Sequence, residues 1–180
     1  MGTRPTISLP SDVIERCRHH AARIVADYDA GFNAASRAVS THGMERNVEW
    51  QAHGKMAECA FALWLGVSLD GLNWSRRPDT GADISFYGFL LDVKATTARG
   101  RYLIWPIGKR HIFESKRFDA LVLVKGDIPI FEIVGFIEKR AFADRHRVWD
   151  GDHGLQPGTW YMAEDELVPP RWIKPYAGIA

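Results

Sequence analysis

Residues 83–96 read DISFYGFLLDVKAT, and how this stretch pairs with itself decides the fold. Two short apolar, aromatic-rich runs flank Tyr87-Gly88, which fits a two-residue hairpin loop. With that loop, Phe86 faces Phe89, Ser85 faces Leu90, Ile84 faces Leu91 and Asp83 faces Asp92. Directly opposed side chains have Cβ atoms about 4.5–5.5 Å apart, and like charges there destabilise. Strand alternation sends Asp92, Lys94 and Thr96 to one side, and Leu91, Val93 and Ala95 to the other. Two carboxylates and an ammonium therefore gather at one end of a half-buried hairpin, where each charge is costly unless compensated. A divalent cation between Asp83 and Asp92 would turn their repulsion into a binding site. An all-oxygen pair suits a hard ion such as Mg²⁺, with Lys94 orienting or helping to deprotonate a bound water. The plainer alternative is that Asp92 and Lys94 are solvated residues on an edge strand and Asp83 caps a turn.

Working outward, LPSDVIERCRHHAARIVADYDAG (residues 9–31) predicts a helix. Ser11 is its N-cap, and Ile14, Cys17, Ala21 and Ile24 form its apolar stripe. Residues 32–47 are polar and mixed, a loop or irregular helix. VEWQAHGKMAECAFALWLG (48–66) predicts a second helix, its alanines and Gly54 thin enough to lie closely on a sheet. RYLIWPI (101–107) predicts a strand ended by Pro106, and GKRHIFESKR (108–117) a short basic helix. DALVLV (119–124) is a continuous apolar run, the mark of a central strand. IPIFEIVGFI (128–137) follows after a turn at Lys125-Gly126-Asp127, then EKRAFADRHR (138–147) as a helix. The tail is loop-rich, with a strand at residues 158–162. This order predicts an α/β or α+β sandwich, a central mixed sheet flanked by helices. One unit spans residues 1–180: an N-terminal helical extension (1–47), a core (48–140) and a loop-rich C-terminal cap (141–180).

Composition narrows the function classes. The 180 residues suit a single domain, and Lys+Arg 23 against Asp+Glu 22 gives a net charge of +1. No global basicity announces a nucleic acid, so such a partner must be met by a local patch. Cys17 and Cys59 are the only cysteines, with no CxxC spacing, which argues against a thiolate zinc site or a disulfide framework. The longest apolar run, residues 59–67, falls well short of the roughly 20 residues a membrane span needs. No secretory signal is read. A cytoplasmic location without membrane attachment is the expectation. The histidines lack a compact zinc spacing, and no P-loop, GxSxG or dinucleotide fingerprint occurs.

Three pieces together resemble the PD-(D/E)xK nuclease superfamily, whose fold is restriction-endonuclease-like. They are a helix with a glutamate, GKMAECAFALWLG (54–66), a motif aspartate in GADISF (81–86), and LLDVKAT (90–96). The resemblance covers residues 48–124. It implies that Asp83 and Asp92 are metal ligands, joined by the Val93 backbone carbonyl. Lys94 is then the lysine that positions the attacking water, and Glu58 the helix acid that completes the metal's water shell. The implied cofactor is Mg²⁺, with Mn²⁺ as a substitute. The literal Pro-Asp pair here is Pro78-Asp79, so either Asp79 or Asp83 could be the first acid. Asp83 is preferred, because Asp79 would lie beyond Asp92 in the hairpin register. A Gln-x-x-x-Tyr pattern after Lys94, frequent in the exonuclease branch, is missing, which favours an endonuclease.

Between Lys94 and Arg117 the chain carries Arg99, Arg101, Lys109, Arg110 and Lys116 as well, against one acid, Glu114. Aromatic residues are interleaved, and Arg76 and Arg77 lie just upstream of Asp83. Such a local excess of cations suits a phosphate backbone, most simply DNA. The reading is a Mg²⁺-dependent DNA endonuclease of restriction, recombination, repair or phage origin, and a homodimer is attractive because one site cuts one strand. The alternatives are an RNA-directed nuclease, or a binding or assembly module of this fold that has lost catalysis.

Overall fold

β2 (Ile84–Phe86) and β3 (Phe89–Thr96) form the expected hairpin, with Ile84 opposite Leu91, Ser85 opposite Leu90 and Phe86 opposite Phe89. This register comes from a computed structural model that describes residues 3–29, 44–74, 81–151 and 156–173. The loop residues Tyr87 and Gly88 have φ of 50° and 83°. Positive φ at both positions gives the turn whose twist matches that of the strands.

Beyond its short partner, β3 pairs in parallel with β5 (Ala120–Asp127), Asp92 lying opposite Leu121 and Lys94 opposite Leu123. β5 pairs antiparallel with β6 (Ile130–Glu138), and β6 with β1 (Thr6–Ser8). The sheet is mixed and five-stranded, in the order β1-β6-β5-β3-β2. β5 is central, as its unbroken apolar run predicts. Two details differ from expectation. Residues 1–47 supply the edge strand β1 as well as helix. The Lys125-Gly126-Asp127 segment is strand, and the chain reverses at Ile128-Pro129, across a cis peptide. Gly126 serves close strand approach here, since a Cβ would stand 2.2 Å from the Ile130 carbonyl oxygen.

One face of the sheet is covered by α2 (Met44–Leu65), and α1 (Ser11–Asp29) packs against α2. The small residues Ala52, Ala57, Ala60 and Ala62 are buried around the helix, together with Met56 and Phe61. From Lys55 to Ala62 every residue but Glu58 is buried, so this part of α2 is packed nearly all round and shows no single stripe. α1 does show one, with Val13, Ile14, Cys17, Ala21 and Val25 buried. The Ile14 N–H already bonds the Pro10 carbonyl, so the helix is entered one residue before the expected cap. Gly66, at φ 75°, ends α2. Of residues 32–47, positions 44–47 belong to α2 and the rest lie outside the described residues.

The opposite face carries a second layer. β4 (Tyr102–Trp105), β7 (Arg147–Val148) and β8 (Trp160–Ala163) form a separate sheet in the order β4-β8-β7. With α3 (Arg110–Ser115) and α4 (Lys139–Arg145) it closes over Leu121 and Leu123 through Leu103, Trp105, Phe113, Phe118 and Phe142. Each sheet face thus has its own apolar core. Among the described residues no helix is long and apolar enough to cross a membrane.

Candidate active site

The site begins where β2 stops. The Asp83 N–H bonds the Leu91 carbonyl at 3.0 Å, the last backbone link of the hairpin. The next donor on that edge of β3, the Val93 N–H, would be left unpaired by so short a partner strand. The Asp83 carboxylate takes it, Oδ2 accepting at 2.6 Å. The chain bends at Asp83, so the regular opposition of Asp83 and Asp92 expected from the register gives way to a carboxylate folded onto β3. The two acids remain electrostatic neighbours. Burial, and then the charge of Asp92, pushes the Asp83 carboxyl up to about 6.

Asp92 is fully buried on the face it shares with Leu121 and Leu123. It survives there because two ammonium groups, Lys94 and Lys116, are in ion contact with it. Burial raises its carboxyl, but those two charges outweigh burial and hold it below the usual value. Its Oδ1 accepts from Lys116, and its Oδ2 is in ion contact with Lys94. Lys94 also lies over the Trp105 ring, 4.5 Å from its centre, a cation–π contact that orients the side chain.

Glu58 approaches from α2. Its carboxylate accepts from Lys55 at 2.6 Å, and Lys55 also donates to the Asn73 carbonyl at 2.6 Å. Burial, and then the charge of Asp83, pushes the Glu58 carboxyl up to about 8 against the pull of Lys55. Asp92 adds a smaller push. Glu58, Asp83, Asp92 and Lys94, from α2, the β2 entry and β3, are therefore one electrostatic cluster.

Two members were not read from the sequence as part of this cluster. Lys55 had a signal in its (i, i+3) spacing from Glu58. Lys116 reads as one more cation of the basic stretch. Its side chain is only 9% exposed, in ion contact with Asp92 and 3.8 Å from the Asp83 Oδ1. Only the parallel pairing of β3 with β5 brings this loop to the acids, so no local pattern could announce it.

The other basic residues fall into separate groups. Arg99, Arg101, Lys109, Arg110 and Arg117 are exposed. Arg110 lies over the Trp160 ring at 4.5 Å. Lys109 is exposed as a residue, yet its ammonium is held below its usual value by desolvation and by the charges of Lys94 and Lys116. Arg76, Arg77 and Asp79 lie outside the described residues.

Among the described residues no three His, Cys, Asp or Glu side chains stand together as a preformed metal cluster. The reason is visible: Lys55 holds Glu58, while Lys94 and Lys116 hold Asp92. The donors still fit a hard cation in one respect, since they are carboxylate oxygens brought together from α2, the β2 entry and β3. Three described histidines serve elsewhere. His53 meets the Gly126 carbonyl at 2.9 Å, His146 meets the Phe142 carbonyl at 3.1 Å, and His20 packs edge-on to Trp74. Comparison with family models, with curated proteins and with solved structures returns no match.

Proposed function

We propose that this chain is a divalent-metal-dependent nuclease of the restriction-endonuclease-like kind, cutting phosphodiester bonds in DNA. The observation that carries the reading is the cluster itself. Glu58, Asp83, Asp92 and Lys94 are drawn from separate elements, and two of the three carboxyls are pushed well above their ordinary values. Convergent, perturbed acids beside a lysine mark a site rather than a solvated surface. Asp83, Asp92 and the Val93 carbonyl would hold Mg²⁺ or Mn²⁺, with Glu58 accepting a hydrogen bond from its water shell. The ion would supply a bound water of lowered pKa and neutralise charge on the phosphate. The Asp83–Val93 hydrogen bond fixes one ligand against the sheet. Lys94, braced on Trp105, keeps a positive charge where the attacking water and the phosphate oxygens meet. Exposed Arg99, Arg101, Lys109, Arg110 and Arg117 would track the backbone, and a homodimer would cut both strands.

One observation favours a second reading. Each acid has a lysine close by, so every member of the cluster already has an internal partner. A nucleic-acid-binding or assembly module without catalysis would look like this. Incubation with plasmid, single-stranded DNA, branched DNA and RNA, each with Mg²⁺ or EDTA, separates the readings. Mg²⁺-dependent cleavage of DNA is the expected result. Cleavage of RNA alone assigns an RNA-directed nuclease, and retention of nucleic acid without cleavage favours the binding module.

A further inference from the structure

We infer that Lys116 is an internal counter-ion of the acid pair, occupying Asp92 and Asp83 in the metal-free protein and giving way when a divalent cation binds. The inference rests on the metal-site reading above and assigns a residue that the sequence placed on the nucleic-acid surface. Lys116 is the one described ammonium that spans both acids, in ion contact with Asp92 Oδ1 and 3.8 Å from Asp83 Oδ1. A divalent cation held by Asp83 and Asp92 would compete with this ammonium for the same carboxylates. Lys94 touches Asp92 through the other oxygen and is held on Trp105.

Lys116 is also anchored so that only its side chain need move. Its N–H bonds the Ile112 carbonyl at 2.7 Å, closing α3, and its carbonyl accepts from Lys139 Nζ at 2.7 Å. The backbone is fixed from both sides, and the reach of the ammonium depends on side-chain torsions alone. Withdrawal is then a rotamer change, not a rearrangement of the fold. Charge balance gives the exchange its direction. Even with Glu58, Asp83 and Asp92 all ionised, their charge only matches that of Lys55, Lys94 and Lys116. Adding two positive charges with all three lysines in place would leave a buried cationic excess. Removing one ammonium from the acid pair offsets part of it. Lys116 is therefore a positioning residue, acting on the metal site rather than on the phosphate.

The test is Mn²⁺ affinity, measured by calorimetry on the full chain for wild type, Lys116→Met, Lys116→Gln and Asp92→Asn. Met removes the charge at similar length. Gln also keeps a donor for Asp92, and serves if the Met variant does not fold. Both Lys116 variants are expected to bind Mn²⁺ at least about tenfold tighter than wild type, because one competing charge is gone, and Asp92→Asn is expected to lose binding. A purely structural lysine would not produce tighter binding when removed. Binding by a Lys116 variant where wild type binds none also supports the inference. Unchanged or weaker affinity in both Lys116 variants overturns it and leaves the metal site standing. No Mn²⁺ binding by wild type or by either Lys116 variant overturns both.

Discussion

Replacing Asp83 with Asn is expected to stabilise the metal-free protein while abolishing cleavage. In the native state the Asp83 carboxyl is raised from 3.8 to about 6, by burial and then by Asp92. A raised carboxyl means the folded chain binds its proton more tightly than the unfolded one. Its contribution to stability is complete below 3.8 and is lost as the pH rises through about 6. About two pH units, at about 1.36 kcal/mol each, place an upper limit near ~3 kcal/mol on the penalty at neutral pH. Asparagine keeps the size and an oxygen that can accept the Val93 N–H, but not the charge. Urea unfolding in EDTA, followed by tryptophan fluorescence, should therefore show Asp83→Asn more stable than wild type by about 1–3 kcal/mol at neutral pH, the gain vanishing at about pH 4. Asp83→Ala also removes the acceptor, leaving the Val93 N–H unpaired at a cost of about 1–3 kcal/mol, and should rank below Asn. An Asp83→Asn protein no more stable than wild type at neutral pH would refute the claim that this carboxylate is held at a cost to the fold.

Lys94→Ala should remain folded, since Lys116 still neutralises Asp92, yet lose cleavage by at least about a hundredfold in single-turnover assays. Replacing Arg99 and Arg101 together with alanine should weaken DNA binding across sequences and reduce the salt slope of the affinity by about 1.8 on duplex, the value for two phosphate contacts. His20 is lowered from 6.5 to about 4 by burial and then by the charges of Lys55, Arg23 and Arg16. Its contribution to stability is present above 6.5 and lost as the pH falls towards 4. Thermal unfolding of His20→Leu should accordingly lose less stability than wild type between neutral pH and about pH 5.

Those residues also show how far the sequence could be read. The hairpin register was legible because a two-residue loop leaves no freedom in pairing, and Ala120–Val124 was legible as a central strand because only burial on both faces tolerates an unbroken apolar run. Asp83, Asp92 and Lys94 came from that register, and Glu58 from the resemblance to the nuclease superfamily. The bend at Asp83 was hidden, because it depends on β2 ending early and leaving the Val93 N–H to be satisfied. Lys116 was hidden for a different reason: it meets Asp92 only through the parallel β3–β5 pairing, a contact that closes late in the sequence order. β1 is three residues long, too short for a periodicity. The separate sheet of β4, β7 and β8 escaped notice because alternation within β4 says which residues are buried, not which partner buries them.

The central claim is that Asp92 and its neighbours hold a divalent cation that cuts nucleic acid. It is tested most directly by comparing cleavage of supercoiled plasmid by wild type and Asp92→Asn, in Mg²⁺ and in EDTA. The account predicts nicking or linearisation by wild type in Mg²⁺ alone, and none by the variant. Cleavage that persists in folded Asp92→Asn, or that is indifferent to EDTA, would contradict it.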